Sequence, residues 1–137
     1  MHRLSVKGRQ RIMLIIEQVL KEDPQVLFSY LIGSFQGGDK FRDIDVAVYL
    51  KPDTEDIFSY GLRLRGRINK FLPQYSVDLR ILNDAPLSFQ FEVITKGDVI
   101  HSKNRDKLLE FEVQTRREYF DFASHRRYLY QKIVLGR

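Results

Sequence analysis

Two short apolar runs, and the link between them, constrain this chain most. Val26–Ile32 and Asp43–Leu50 each read as a strand, the second stopped by Pro52. Runs of this length, rich in β-branched and aromatic residues and bounded by glycine or proline, favour strand over helix. The link carries Gly33-Ser34-Phe35-Gln36-Gly37-Gly38 and leads into Asp43-Ile44-Asp45. Side chains alternate along a strand, so Asp43 and Asp45 share one face while Ile44 and Val46 turn the other way into the core. Glycines lack a Cβ and let backbone N–H groups approach a phosphate. Paired carboxylates hold a hard cation such as Mg²⁺. The pattern therefore predicts metal-assisted phosphoryl chemistry. A third carboxylate on a neighbouring strand would complete a site for two ions. Asp78 is the candidate, in a strand over Tyr75–Leu82 where Val77, Leu79 and Ile81 form the buried alternation. The competing reading of Asp43 and Asp45 is a solvent-facing strand start. For Asp78 it is a carboxylate paired with Arg80, two residues along the same face.

Helices fill the intervals. Ile12, Ile15, Ile16, Val19 and Leu20 recur at helical spacing between Lys7 and Asp23, and Asp23-Pro24 marks the end, because proline disfavours helix at the preceding residue. A second helix is expected from a cap at Asp53 or Thr54 to Phe71, with Ile57, Gly61, Leu64, Ile68 and Phe71 on its inner face. A short helix from Pro86 to Gly97 follows, then a brief extended piece over Asp98–His101 and a long helix from Asn104. The expected fold class is α/β: a mixed sheet with helices mostly on one face and a C-terminal helical extension.

The chain has 137 residues, one domain's worth, and no cysteine, which excludes a disulfide scaffold, a cysteine zinc site and a thiol nucleophile. We expect a single domain over 1–137, with a catalytic core over about 1–102 and a helical tail over 103–137. No apolar run approaches the ~20 residues of a membrane span. The N-terminus lacks the pattern of a cleaved leader, so a soluble cytoplasmic protein is expected. The net charge is +5, and +4 of it lies from Lys103 onward, where nine Lys or Arg stand against five Asp or Glu. An anionic partner suits that balance, as does a solvated helix face. Tyr119, Tyr128 and Tyr130 interleave with Arg126 and Arg127 in the tail, either as a partner-binding face or as the helix that closes the sheet. Direct nucleic-acid binding is not expected, since no known nucleic-acid motif accompanies these residues. His2, His101 and His125 lack metal-site spacing.

The Gly33-Ser34…Asp43-Ile44-Asp45 pattern, with Asp78 on a later strand, resembles the DNA polymerase-β-like nucleotidyltransferase superfamily. Within it the chain is most similar to the minimal nucleotidyltransferase (MNT) antitoxins of HEPN/MNT toxin–antitoxin systems. Leu82-Asn83-Asp84-Ala85-Pro86-Leu87, Lys96-Gly97-Asp98-Val99-Ile100 and the run Phe111–Asp121 carry that likeness over about residues 10 to 130. The resemblance implies a palm-like fold and Mg²⁺-dependent transfer of AMP from ATP to a tyrosine of a HEPN ribonuclease toxin. It also implies the roles. Gly33 and Ser34 bind the β,γ-phosphates. Asp43 and Asp45 ligate two Mg²⁺ ions. Asp78 ligates the metal on the acceptor side and helps deprotonate the attacking hydroxyl. Two features depart from the family pattern: the spacer from Gly33-Ser34 to Asp43 is shorter, and Arg42 stands where serine is common. Arg42 either binds a phosphate or pairs with a carboxylate. Phe35, Gln36 and Phe41 are second-rank candidates for nucleotide contact. Alternatives are a catalytically weak antitoxin acting by complex formation, and a nucleotidyltransferase acting on a small molecule or an RNA end.

Overall fold

The computed structural model describes residues 2–36 and 40–136, with only the backbone of His2 and Arg3. Gly37 and Gly38 of the glycine-rich link lie outside the described residues. The elements run β1 (His2–Arg3), α1 (Val6–Glu22), β2 (Val26–Ile32), β3 (Lys40–Phe41), β4 (Ile44–Leu50), α2 (Ile57–Phe71), β5 (Val77–Ile81), α3 (Leu87–Lys96), β6 (Asp98–Ser102) and α4 (Arg105–Ile133).

The main sheet has the order β5-β4-β2-β6, and β1 pairs with β3 in a separate two-stranded ribbon. β2 runs antiparallel to β4 and to β6, while β5 runs parallel to β4. A parallel neighbour needs a crossover, and α2 supplies it. The two strands read from the apolar runs are thus the two inner strands, buried on both faces, which explains their near-continuous hydrophobicity.

Alternation along β4 sorts the two cores. Ile44, Val46, Val48 and Leu50 pack with Ile12, Ile16 and Leu20 of α1 and with Leu64 and Ile68 of α2. Ala47 instead joins Phe28 and Tyr30 of β2, Val93 and Ile94 of α3, and Leu108 of α4. The expected cover of helices on one face is met by α1 and α2; α3 and the first turns of α4 cover the opposite face as well. Leu108 and Thr115 are the buried residues of α4, and Tyr119 stacks on Phe91 of α3 with ring centroids 3.8 Å apart. The first half of this helix is therefore part of the folded body, whereas Tyr128, Tyr130, Ile133 and Val134 are exposed.

The start of α2 differs from the expected cap at Asp53 or Thr54. The Thr54 hydroxyl is engaged in the turn, bonding the carbonyl of Lys51 at 2.7 Å and Gln25 at 3.0 Å. Asp56 caps instead, accepting from the Ser59 N–H at 3.3 Å. α1 begins at a Ser5 cap, whose hydroxyl accepts from the Gly8 N–H at 3.1 Å. Its other end closes on Asp23, which is fully buried. The Asp23 carboxylate accepts from the N–H groups of Gln25 (2.8 Å) and Val26 (3.2 Å) and from the Tyr60 hydroxyl (2.6 Å). It also pairs with Arg67, and its carbonyl accepts from the Lys103 ammonium.

Candidate active site

Strand register gathers the predicted carboxylates at one end of the sheet. Ile32, the last residue of β2, pairs with Asp45 on β4, and Asp45 pairs with Asp78 on β5. Residues in register on neighbouring strands point to the same face. Because Ile44, Val46, Val77 and Leu79 turn toward α1 and α2, Asp45 and Asp78 turn toward the face of α3 and α4. Asp43 immediately precedes β4.

Gly33 completes the end of β2. Its φ is +79°, a conformation that disfavours any side chain. A Cβ there would also stand 3.0 Å from Cγ of Asp45 and overlap its carboxylate. The glycine is thus required twice, once by the turn and once by the acidic side chain seated on its Cα. Ser34 then ties the loop to the carboxylate strand. Its hydroxyl donates to the Asp43 carbonyl at 3.5 Å and accepts from the Arg42 N–H at 3.3 Å. The Gln36 N–H donates to the Gly33 carbonyl at 3.1 Å, which closes a turn.

The electrostatics follow from this gathering. Burial pushes the Asp45 carboxyl above the usual carboxylate range; the neighbouring charges of Asp78 and Asp43 push it the same way, and Arg80 opposes them. The donor set is all oxygen, with Asp45 and Asp78 on one face, and mutually repulsive, which fits a hard divalent cation in kind. The side chains stand apart: among the described residues no three acidic or histidine groups close on a common point. Arg80 does not neutralise Asp78 in a tight pair. Among the described residues the ion pairs lie elsewhere, and the Arg80 guanidinium lies over the Phe89 ring, 4.6 Å from its centroid.

Arg42 is exposed beside Asp43. Phe35 and Phe41, second-rank candidates for nucleotide contact, are both buried and packed edge to face at 4.7 Å. They are core because the loop needs an apolar anchor where it leaves the sheet. Arg9 of α1 covers them, 4.6 Å from the Phe35 ring centroid, and donates to the Phe35 carbonyl. Sequence reading missed Arg9, which carries no motif and lies 26 residues from its partner. Gln36 also works across the fold, donating to the Lys96 carbonyl and, at 3.0 Å, to Asp98.

Comparison with solved structures finds this architecture elsewhere. A chain of the MntA-HepT toxin–antitoxin complex superposes with a TM-score of 0.67 at 25% identity, covering 91% of this chain and 98% of that one. A chain from the tri-AMPylated HEPN toxin–MNT antitoxin complex of Shewanella oneidensis gives 0.69 at 26% identity, covering 92% and 98%. A chain from a toxin–antitoxin structure with AMP-PNP gives 0.69 at 27% identity, covering 89% and 98%. No curated protein matches the chain in sequence. Residues 15–106, from mid-α1 through all three carboxylates to the start of α4, match the polymerase β nucleotidyltransferase family, and the chain belongs to that family.

Proposed function

We propose that this chain is an antitoxin enzyme that transfers AMP from ATP to a tyrosine of a HEPN-type toxin, with Mg²⁺, in the cytoplasm. The observation that carries the reading is the acidic end of the sheet, where Asp45 sits on Gly33 in register with Asp78. The neighbours add support, one containing an AMPylated HEPN toxin and another AMP-PNP. We read residues 1–137 as one catalytic domain.

In this reading Asp43 and Asp45 hold the metal, and Asp78 joins them on the acceptor side. A divalent cation such as Mg²⁺ held there would supply positive charge against the triphosphate. The remaining steps belong to the chain. Gly33 and Ser34 present the turn to the β,γ-phosphates, and the Arg42 guanidinium adds positive charge beside them. Asp78 accepts the proton of the tyrosine hydroxyl as its oxygen attacks the α-phosphorus. The bond from that phosphorus to the pyrophosphate oxygen breaks, leaving AMP on the tyrosine. Most of the acceleration is positioning.

The test is incubation with ATP, Mg²⁺ and the cognate HEPN-type protein, read by intact mass. One or more AMP units should appear on the partner and be absent with the Asp43→Ala, Asp45→Ala double variant. No mass gain while a stable complex forms would replace this reading with an antitoxin that works by binding. The exposed outer half of α4 favours that second reading, with Tyr128, Tyr130 and Ile133 unburied.

A further inference from the structure

The turn at the end of β2 is held from three sides. Ser34 ties it to the carboxylate strand, and the Gln36 side chain ties it to Lys96 and Asp98. The third tie comes from the first turn of α1, where the Arg9 guanidinium donates to the Phe35 carbonyl. Resting on the nucleotidyltransferase reading, we infer that Arg9 is a positioning residue: it fixes the peptide between Phe35 and Gln36 and so sets the turn that Gly33 and Ser34 present to the β,γ-phosphates.

One peptide plane links two of these bonds. The Phe35 carbonyl and the Gln36 N–H belong to the same planar trans group and point to opposite sides of it. On one side the carbonyl accepts from Arg9. On the other the N–H donates to the Gly33 carbonyl at 3.1 Å and closes the turn. Rotation of this plane breaks both bonds together. Without Arg9 the plane keeps only its closing bond, whose net worth in contact with water is small. Gly33, at a φ of +79°, adds a point of high backbone freedom to the same turn. A phosphate chain would then have to order the turn as it binds, and affinity falls by that cost.

Arg9 is itself placed by aromatic rings. Its guanidinium lies 4.6 Å from the Phe35 centroid and 5.5 Å from that of Phe41, where exclusion of water strengthens the attraction. Among the described residues Arg9 enters no ion pair, and its Nη2 is buried without a hydrogen-bond partner. A buried donor left in that state costs stability, and an apolar chain of similar length would cover the rings without that cost. The bond that the other nitrogen makes to Phe35 accounts for the guanidinium. β1 adds a second grip from the same end of the chain, pairing His2 with Phe41 and Arg3 with Lys40. The N-terminal segment thus holds the glycine-rich link on both flanks, at Phe35 and at Phe41.

Calorimetric titration of the full chain with ATP and with inorganic tripolyphosphate, each with Mg²⁺, tests the assignment. Arg9→Met keeps an apolar chain over the rings and removes the donor. It should weaken both ligands by about tenfold, the scale of one hydrogen bond from a charged donor, because both use the same turn. Arg11→Met removes an equal charge from an exposed position of α1 and should bind both ligands as wild type does. With the HEPN-type partner, Arg9→Met should raise KM for ATP by a similar factor and leave kcat within about twofold. Arg9→Gln should behave in the same way, and it carries the test if Arg9→Met does not fold. Wild-type affinity in a folded Arg9 variant, a fall in kcat at unchanged KM, or equal weakening by Arg11→Met overturns the role of Arg9 and leaves the nucleotidyltransferase reading standing. Binding of neither ligand by wild type overturns both.

Discussion

Asp45 carries a cost that the proposed metal site would explain. In the unfolded chain its carboxyl ionises near the usual 3.8, whereas folding pushes that value up through burial and the charges of Asp78 and Asp43. Below pH 3.8 both states hold the proton and the residue costs nothing. As pH rises, the unfolded chain releases its proton first, so the folded state loses stability until its own higher pKa is passed; the deficit then stays constant. Asp45→Asn should therefore raise the Tm of the chelator-treated protein by a few degrees at pH 7. The gain should vanish near pH 3.5, and AMP transfer should be abolished. Thermal melts at the two pH values check this; a variant no more stable than wild type at pH 7 would show that Asp45 is not strained. The carboxylates were legible because strand period places them without any knowledge of distant contacts. Arg9, Gln36 and the burial of Phe35 and Phe41 were not, because each depends on a partner brought near only by the fold.

Among the elements, the junction after α1 is held by a single buried side chain. Asp23 joins the end of α1 to the start of β2, to Tyr60 and Arg67 of α2, and through its carbonyl to Lys103 ahead of α4. Burial alone would raise its pKa, but the bonds from Tyr60, Gln25 and Arg67 together outweigh it and hold the carboxyl below 3.8. The Tyr60 hydroxyl is pushed up to about 12 by burial and by this carboxylate. Asp23→Ala would leave two backbone N–H groups and a hydroxyl without their acceptor, a loss of roughly 2–4 kcal/mol. We place the effect toward the lower end because the Arg67 side chain is 48% exposed and its pairing is screened. Denaturant unfolding at pH 7 measures the loss. With a depressed pKa, the stabilisation is present above 3.8 and lost as pH falls through the folded value, so wild type and variant should converge in strong acid. The sequence marked Asp23-Pro24 as a helix end by proline's local sterics. Its wider role was hidden because the side-chain partners lie 37 and 44 residues away. The β1–β3 ribbon escaped for a different reason: a two-residue strand is too short to show any alternation.

Across the whole molecule, α4 divides the chain into a part that folds on itself and a part that faces outward. Its 29 residues would extend about 43 Å at 1.5 Å per residue, yet Leu108 and Thr115 are its only buried positions and Tyr119 is stacked on α3. Beyond Ser124 come Arg126, Arg127 and Lys132 with no acidic residue, among Tyr128, Tyr130, Ile133, Val134 and Leu135, all exposed. Apolar surface of this extent on a helix is unusual unless something covers it, and under the proposed function the basic charge suits an acidic face on the HEPN-type partner as that cover. A chain ending after Ser102 would remove Leu108 and Thr115 from the body and should not fold. Among the described residues, ending after Ser124 removes only exposed side chains, so the Tm should move by no more than a few degrees. Affinity for the HEPN-type partner should nevertheless fall by tenfold or more, since a few aromatic and arginine anchors carry most of an interface's energy. The wild-type affinity should also weaken as salt is raised. Titration of both chains against the partner at two ionic strengths tests the division. If the shortened chain binds as tightly as wild type, the toxin docks elsewhere, and the acidic end of the sheet alone must account for recognition.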